Sequence, residues 1–195
     1  MSRTSLLLVA LAWAFFYMVG MIALLILPDY RDLLDVSAQK ASVLLGILGV
    51  AIGLGSVTAG LISGKHIEPR LIPVGAVGMT VFFILLGVLP LQFGLVAGLL
   101  TGAGIFAGLY IVPLQALLQH LSPPDERGRF LGTANGLSFV FSTMGSLIFL
   151  YLRSSQGMAS NRIFLVSGIL SIVGTGILIW RLRKLLVDPA LRRSE

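Results

Sequence analysis

The sequence predicts an all-α integral membrane protein with six transmembrane helices. Three observations predict it. Hydrophobic residues make up 56% of the 195 residues and charged residues only 11%, and the mean hydropathy is +0.98. A soluble domain carries about 25% charged residues, so this chain has too few to cover a water-facing surface, and a cytosolic enzyme is excluded. Six apolar runs reach the roughly 18–20 residues that span a hydrocarbon core about 30 Å thick. The charges fall almost entirely between those runs.

The first run, 5–27, stops at Pro28-Asp29. It is too long for the apolar core of a secretory signal, about 7–15 residues, and no small-x-small cleavage site closes it, so it reads as a retained helix. The second run covers 42–64, the third 71–89, the fourth 92–118, the fifth 130–152 and the sixth 163–182. Together they define a six-helix membrane domain over 1–187, followed by a cytoplasmic tail over 188–195. Orientation follows from the basic residues of the short links. Ten lie on one side: Arg3, Lys65, Arg70, Arg127, Arg129, Arg181, Arg183, Lys184, Arg192 and Arg193. Four lie on the other: Arg31, Lys40, Arg153 and Arg162. The richer side is expected in the cytoplasm, with both termini on it. Net charge +6 is thereby explained by topology, with the lipid bilayer and not nucleic acid as the partner. With no Cys and only His66 and His120, neither a metal site nor a bound cofactor is expected.

The links are unequal. Long polar stretches join the first span to the second and the fourth to the fifth. They share the strings Pro28-Asp29-Tyr30-Arg31 and Pro124-Asp125-Glu126-Arg127, on opposite sides of the membrane, as two inverted three-helix repeats would place them. Small residues form stripes. Ser42, Gly46, Gly49, Gly53, Ser56, Gly60 and Ser63 share one face of the second span, Gly94, Gly98 and Gly102 and then Gly104 and Gly108 recur in the fourth, and Gly132 and Gly136 in the fifth. Such faces either pack helices closely or let them rock against neighbours. The third span holds one polar side chain, Thr80, and is expected to face lipid or lie at the periphery. Ser167, Ser171 and Thr175 give the sixth one seam.

Candidate site residues concentrate in the fourth and fifth spans. Gln115 continues the fourth-span stripe, and Asn135, Ser138, Ser142 and Ser146 share a face of the fifth. An amide in a bilayer is costly unless bonded or wet, so Gln115 and Asn135 line a polar cavity, bond each other, or sit at headgroup level. Pro113 breaks one backbone hydrogen bond of its helix. It gives either a static bend or, with Gly108, a hinge or gate. Asp125, Glu126, Arg127 and Arg129 form the densest charged link. They serve either as a helix cap begun by Ser122 plus topology-setting arginines, or as a cytoplasmic latch that exchanges ion pairs. His120 and Asp125 match a His-x4-Asp acyltransferase pattern, but two prolines separate them and no anion-binding segment follows, so no catalytic residue is expected. No ionisable side chain lies inside a span, so no proton relay is visible.

Gly108-Leu-Tyr-Ile-Val-Pro113-Leu-Gln115-Ala-Leu-Leu-Gln119-His, Ser122-Pro-Pro-Asp-Glu-Arg127-Gly128-Arg129 and Asn135 resemble the C-terminal half of a branch of the major facilitator superfamily. That branch includes bacterial lysophospholipid transporters and permease-like domains fused to phospholipid acyltransferases. Gly60-Leu-Ile-Ser-Gly64-Lys65-His-Ile-Glu68-Pro-Arg is similar to the family's link between its eighth and ninth helices. The resemblance implies half of a major facilitator fold in a bacterial inner membrane. The first, second, fourth and fifth helices would face a central cavity, which adds Tyr17 to the cavity candidates. It implies alternating-access transport of a small amphiphile such as a lysophospholipid, with an N-terminal half or a second copy as partner. The alternative is a non-transporting membrane module or fragment beside a phospholipid acyltransferase.

Overall fold

The computed structural model describes residues 3–64, 66–90 and 92–186, with side chains at 3, 4 and 182–186 excepted. The tail over 188–195, Lys65, and the side chains of Arg3, Arg183, Lys184, Arg192 and Arg193 lie outside the described residues. Six long helices form: α1 Arg3–Ile26, α2 Ala38–Ser63, α3 Leu71–Val88, α4 Phe93–Leu121, α5 Arg127–Leu150 and α6 Ser160–Leu186. Each is long and apolar enough to cross a membrane, and no strand occurs among the described residues.

The ends differ from the sequence expectations for identifiable reasons. The first span does not stop at Pro28-Asp29. A 3-10 turn over Leu27–Asp29 carries Pro28 where a missing N–H costs nothing, and a helical turn over Tyr30–Leu33 follows. α2 starts a turn early because the Ser37 side chain accepts from the Lys40 amide at 3.4 Å. It ends at Gly64, whose φ of 56° suits a residue without a Cβ. Ser122 does not cap α5. Its hydroxyl donates to the Leu118 carbonyl at 2.7 Å, so it closes α4, and α5 begins after a 3-10 turn over Pro124–Glu126. α5 runs on through a π turn over Tyr151–Ser155.

Helix neighbours follow the repeat. α4 packs against α2 and α3, α1 packs against α5 and α6, α3 packs on α6, and α1 touches α4. Exchanging the first three helices with the last three leaves this pattern unchanged, and an odd number of spans per unit inverts one unit relative to the other. The fold is thus two inverted three-helix repeats. The matching strings at Pro28 and Pro124 both form 3-10 turns with proline in the first turn.

Lipid supplies no hydrophobic drive between helices, so close approach depends on small residues. A Cβ at Gly108 would strike the Ser56 and Ile52 backbone of α2, and one at Gly55 would strike the Ile105 backbone of α4. A Cβ at Gly75 of α3 would lie 2.6 Å from the Tyr110 amide. Buried Tyr110 donates from its hydroxyl to the Ala12 carbonyl at 3.0 Å, tying α4 to α1 across the repeat. α3 has the exposed side expected of a helix at the periphery, along Val74, Val77 and Val81, and it is not exposed all round: Gly75, Ala76, Met79, Thr80 and Phe83 are buried against α4 and α6. Apolarity alone could not separate a lipid-facing helix from one packed between two neighbours.

Candidate functional site

The face formed by α2, α4 and α5 is open. Most of the α2 stripe is uncovered: an added Cβ at Gly46, Gly49, Gly53 or Gly60 meets nothing within 4 Å, and the same holds for Gly94 and Gly98 of α4 and Gly132 and Gly136 of α5. The α2 and α5 stripes therefore do not pack this bundle together. Between α2 and α4 the packing glycines are Gly55, off the α2 stripe, and Gly104 and Gly108, which seat α4 on α2. The hinge candidate Gly108 is thus a tight backbone contact. Pro113 is buried five residues on, inside a helix that continues to Leu121.

A cavity of about 180 Å³ lies between α1, α2 and α4, lined by Tyr17, Gly20, Leu48, Ile52, Ala103 and Ser142 among others. Two of the five sequence-predicted cavity residues meet there. Tyr17 is exposed on the cavity side of α1 with its ring against Trp13 and Phe16. Ser142 reaches in from α5, and its hydroxyl makes no hydrogen bond among the described residues. Ser138 is buried and donates to the Asn135 carbonyl at 2.7 Å, so its hydroxyl is spent on its own helix. Gln115 and Asn135 are both exposed. No hydrogen bond joins them, because α4 and α5 scarcely pack along their lengths. They are solvent- or lipid-accessible amides on the open face, outside the cavity.

The charged link is also spread out. Arg129 and Glu126 approach to 3.8 Å as an exposed i,i+3 pair. Asp125 and Arg127 are exposed and have no ion-pair partner among the described residues. His120 is likewise exposed.

The sequence reading missed the corresponding charge at the opposite end. Asp29 accepts from Arg153 Nε at 2.8 Å and from the Ser160 hydroxyl, so the 3-10 turn after α1 is bound to the end of α5 and the start of α6. The available signal was topological, since Arg153 is one of only four basic residues on that side. Asp29 is clamped, and its counterpart Asp125 has no ion-pair partner among the described residues.

A second cavity, about 320 Å³, opens between α1 and α6 and is almost wholly apolar. Tyr17, Gly20, Met21 and Leu24 line the first cavity, and Leu8, Leu11, Ala12 and Phe15 line the second. At 100° per residue these sets fall on different sides of α1, with Phe16 between them.

Among the described residues no group of three or more His, Cys, Asp or Glu could hold a metal. No curated protein and no solved structure matches the chain. The family model for the Major Facilitator Superfamily matches residues 8–194, nearly the whole sequence, in agreement with six membrane-spanning helices in two inverted units. The chain is a multi-pass membrane protein of transporter type and belongs to the Major Facilitator Superfamily.

Proposed function

We propose that this bundle is half of a transporter that moves a small amphiphile by alternating access, working with a second six-helix bundle. The observation that carries this is the open face of α2, α4 and α5. It exposes backbone at Gly46, Gly49, Gly53, Gly132 and Gly136, together with the amides Gln115 and Asn135. Exposed amides are poorly served by acyl chains, and bare glycine faces are the surfaces on which membrane helices pack closely. A second bundle would cover them and turn the cavity at Tyr17 and Ser142 into an enclosed site. An apolar lining with a few hydroxyls and amides suits a single-chain lipid such as a lysophospholipid. The clamped Asp29, and an Asp125 without an ion-pair partner among the described residues, fit a protein that exchanges closure between its two ends, with Asp125, Glu126, Arg127 and Arg129 as the cytoplasmic latch. We place the protein in a bacterial inner membrane with both termini cytoplasmic.

The test is reconstitution of the chain, with its co-purifying bundle or as its dimer, into vesicles holding a fluorescent lysophospholipid. Movement of the probe between leaflets is expected. A strictly monomeric chain that transports would refute the partner, and an assembled chain that moves no single-chain amphiphile would refute the substrate class.

A further inference from the structure

The α1–α6 contact breaks the symmetry of the fold. Its repeat counterpart, α4–α3, is closed by glycines: Gly75 admits the Tyr110 backbone, Gly78 faces the Phe106 ring, and Gly102 faces Phe82. α1 has one glycine, Gly20, which lines the other cavity. In the half of α1 that faces α6, the residues are Leu8, Leu11, Ala12 and Phe15. Gly174 of α6 seats the Phe15 ring as Gly78 of α3 seats Phe106, but no α6 glycine among the described residues admits α1 backbone as Gly75 admits that of α4, and Gly168 packs against Ile84 of α3. The result is the cleft of about 320 Å³, at the small end of the roughly 300–1,000 Å³ typical of ligand sites.

Its shape and chemistry are those of a hydrocarbon chain. On α6 it runs from Leu170 to Arg181, about 16 Å of helix. Leu11, Val173 and Ile177 on its rim are exposed, so it opens sideways toward the bilayer. Water there would find almost no partners, since the Tyr110 hydroxyl is already bonded to Ala12. Among the described residues one charge borders the cleft. Arg181 ends the apolar run of α6, is exposed, lies 4.6 Å from the Trp180 ring centre, and has no anionic partner among the described residues. A guanidinium at the end of an apolar slot pairs with a phosphate whose chain fills the slot. We propose that this cleft binds a resident anionic phospholipid, one acyl chain between α1 and α6 and its phosphate on Arg181. This site is separate from the transport cavity and stands whether or not the protein transports an amphiphile.

Native mass spectrometry of the full chain, purified in mild detergent and titrated with palmitoyl-oleoyl phosphatidylglycerol, tests it. One tightly held lipid is expected. Arg181→Gln should weaken it about fivefold, the weight of one basic residue at an anionic lipid surface. Val173→Trp should block the slot and remove the lipid. Ile177→Trp serves the same end should the first variant fail to fold, with helical circular dichroism as the check on each. Gln115→Leu, on the other face, should leave binding unchanged, and glycerophosphate without a chain should not compete. Equal binding by wild type, Arg181→Gln and both tryptophan variants would place the lipid elsewhere and overturn the proposal. Loss in Gln115→Leu alone, or competition by glycerophosphate, would overturn it as well.

Discussion

Gly108 sets how closely α4 can lie on α2, because any side chain there meets the backbone at Ser56 and Ile52. Gly108→Val is expected to destabilise the bundle by about 2 kcal/mol, the usual scale of overpacking, read as a lower melting temperature in detergent. Gly53→Ala, in open space, should not lower the melting temperature of the isolated bundle, since alanine meets no neighbour and stabilises a helix relative to glycine by about 0.4–1 kcal/mol. Gln115 carries the opposite expectation. It is exposed and bonded to no side chain, so Gln115→Leu should not reduce stability. If it meets the substrate, transport by the assembled protein should fall several-fold, matching about 1–2 kcal/mol for an amide hydrogen bond between membrane groups. Unchanged transport would remove Gln115 from the site. Residue spacing found the polar positions but not their partners. Tyr17 and Ser142 do share a cavity, Ser138 spends its hydroxyl on Asn135, and the Gln115–Asn135 bond does not form. Spacing fixes the face of a helix and says nothing about which helices adjoin.

At the scale of elements, the clamp on Asp29 joins three of them: the turn after α1, the end of α5 and the start of α6. Both charged groups are partly exposed, so water screens them. A double-mutant cycle with Asp29→Asn and Arg153→Gln should give a coupling of about 1 kcal/mol or less, measured by thermal or denaturant unfolding. A coupling of zero would make the pair incidental. The helices themselves were legible because twenty-residue apolar runs admit little else in a chain this poor in charge. Their ends were less so. The sequence offered Pro28 as a stop and Ser122 as a cap, and local hydrogen bonding reversed both: a 3-10 turn accommodates the proline, and the serine hydroxyl turns back to Leu118. The stripes were visible too, but their uncovered state was not. A glycine face reads the same whether it meets a neighbour or waits for one.

The two sets of links differ in their basic residues. Ten, Arg70, Arg127, Arg129 and Arg181 among them, belong to one set, and four, Arg31, Lys40, Arg153 and Arg162, to the other. Cysteines placed at Asp32 and Arg127 in this Cys-free chain should label oppositely with a membrane-impermeant thiol reagent: Asp32 from outside intact cells, Arg127 only after the membrane is opened. The reverse pattern would invert the topology drawn from ten basic residues against four. The neighbour pattern of the helices also bears on how the protein is made. The main partner of α2 is α4, and that of α1 is α5, so neither helix emerges from the ribosome next to the helix it needs. Between Ser63 and Leu121 the ribosome must add about 60 residues, roughly 3–12 s at about 5–20 residues per second. Throughout that interval α2 lies in lipid with its Gly55 notch unfilled. Insertion of single helices and their assembly must therefore be separate stages of biogenesis, and a chain stalled before α4 would leave α2 available to the quality-control proteases of the membrane.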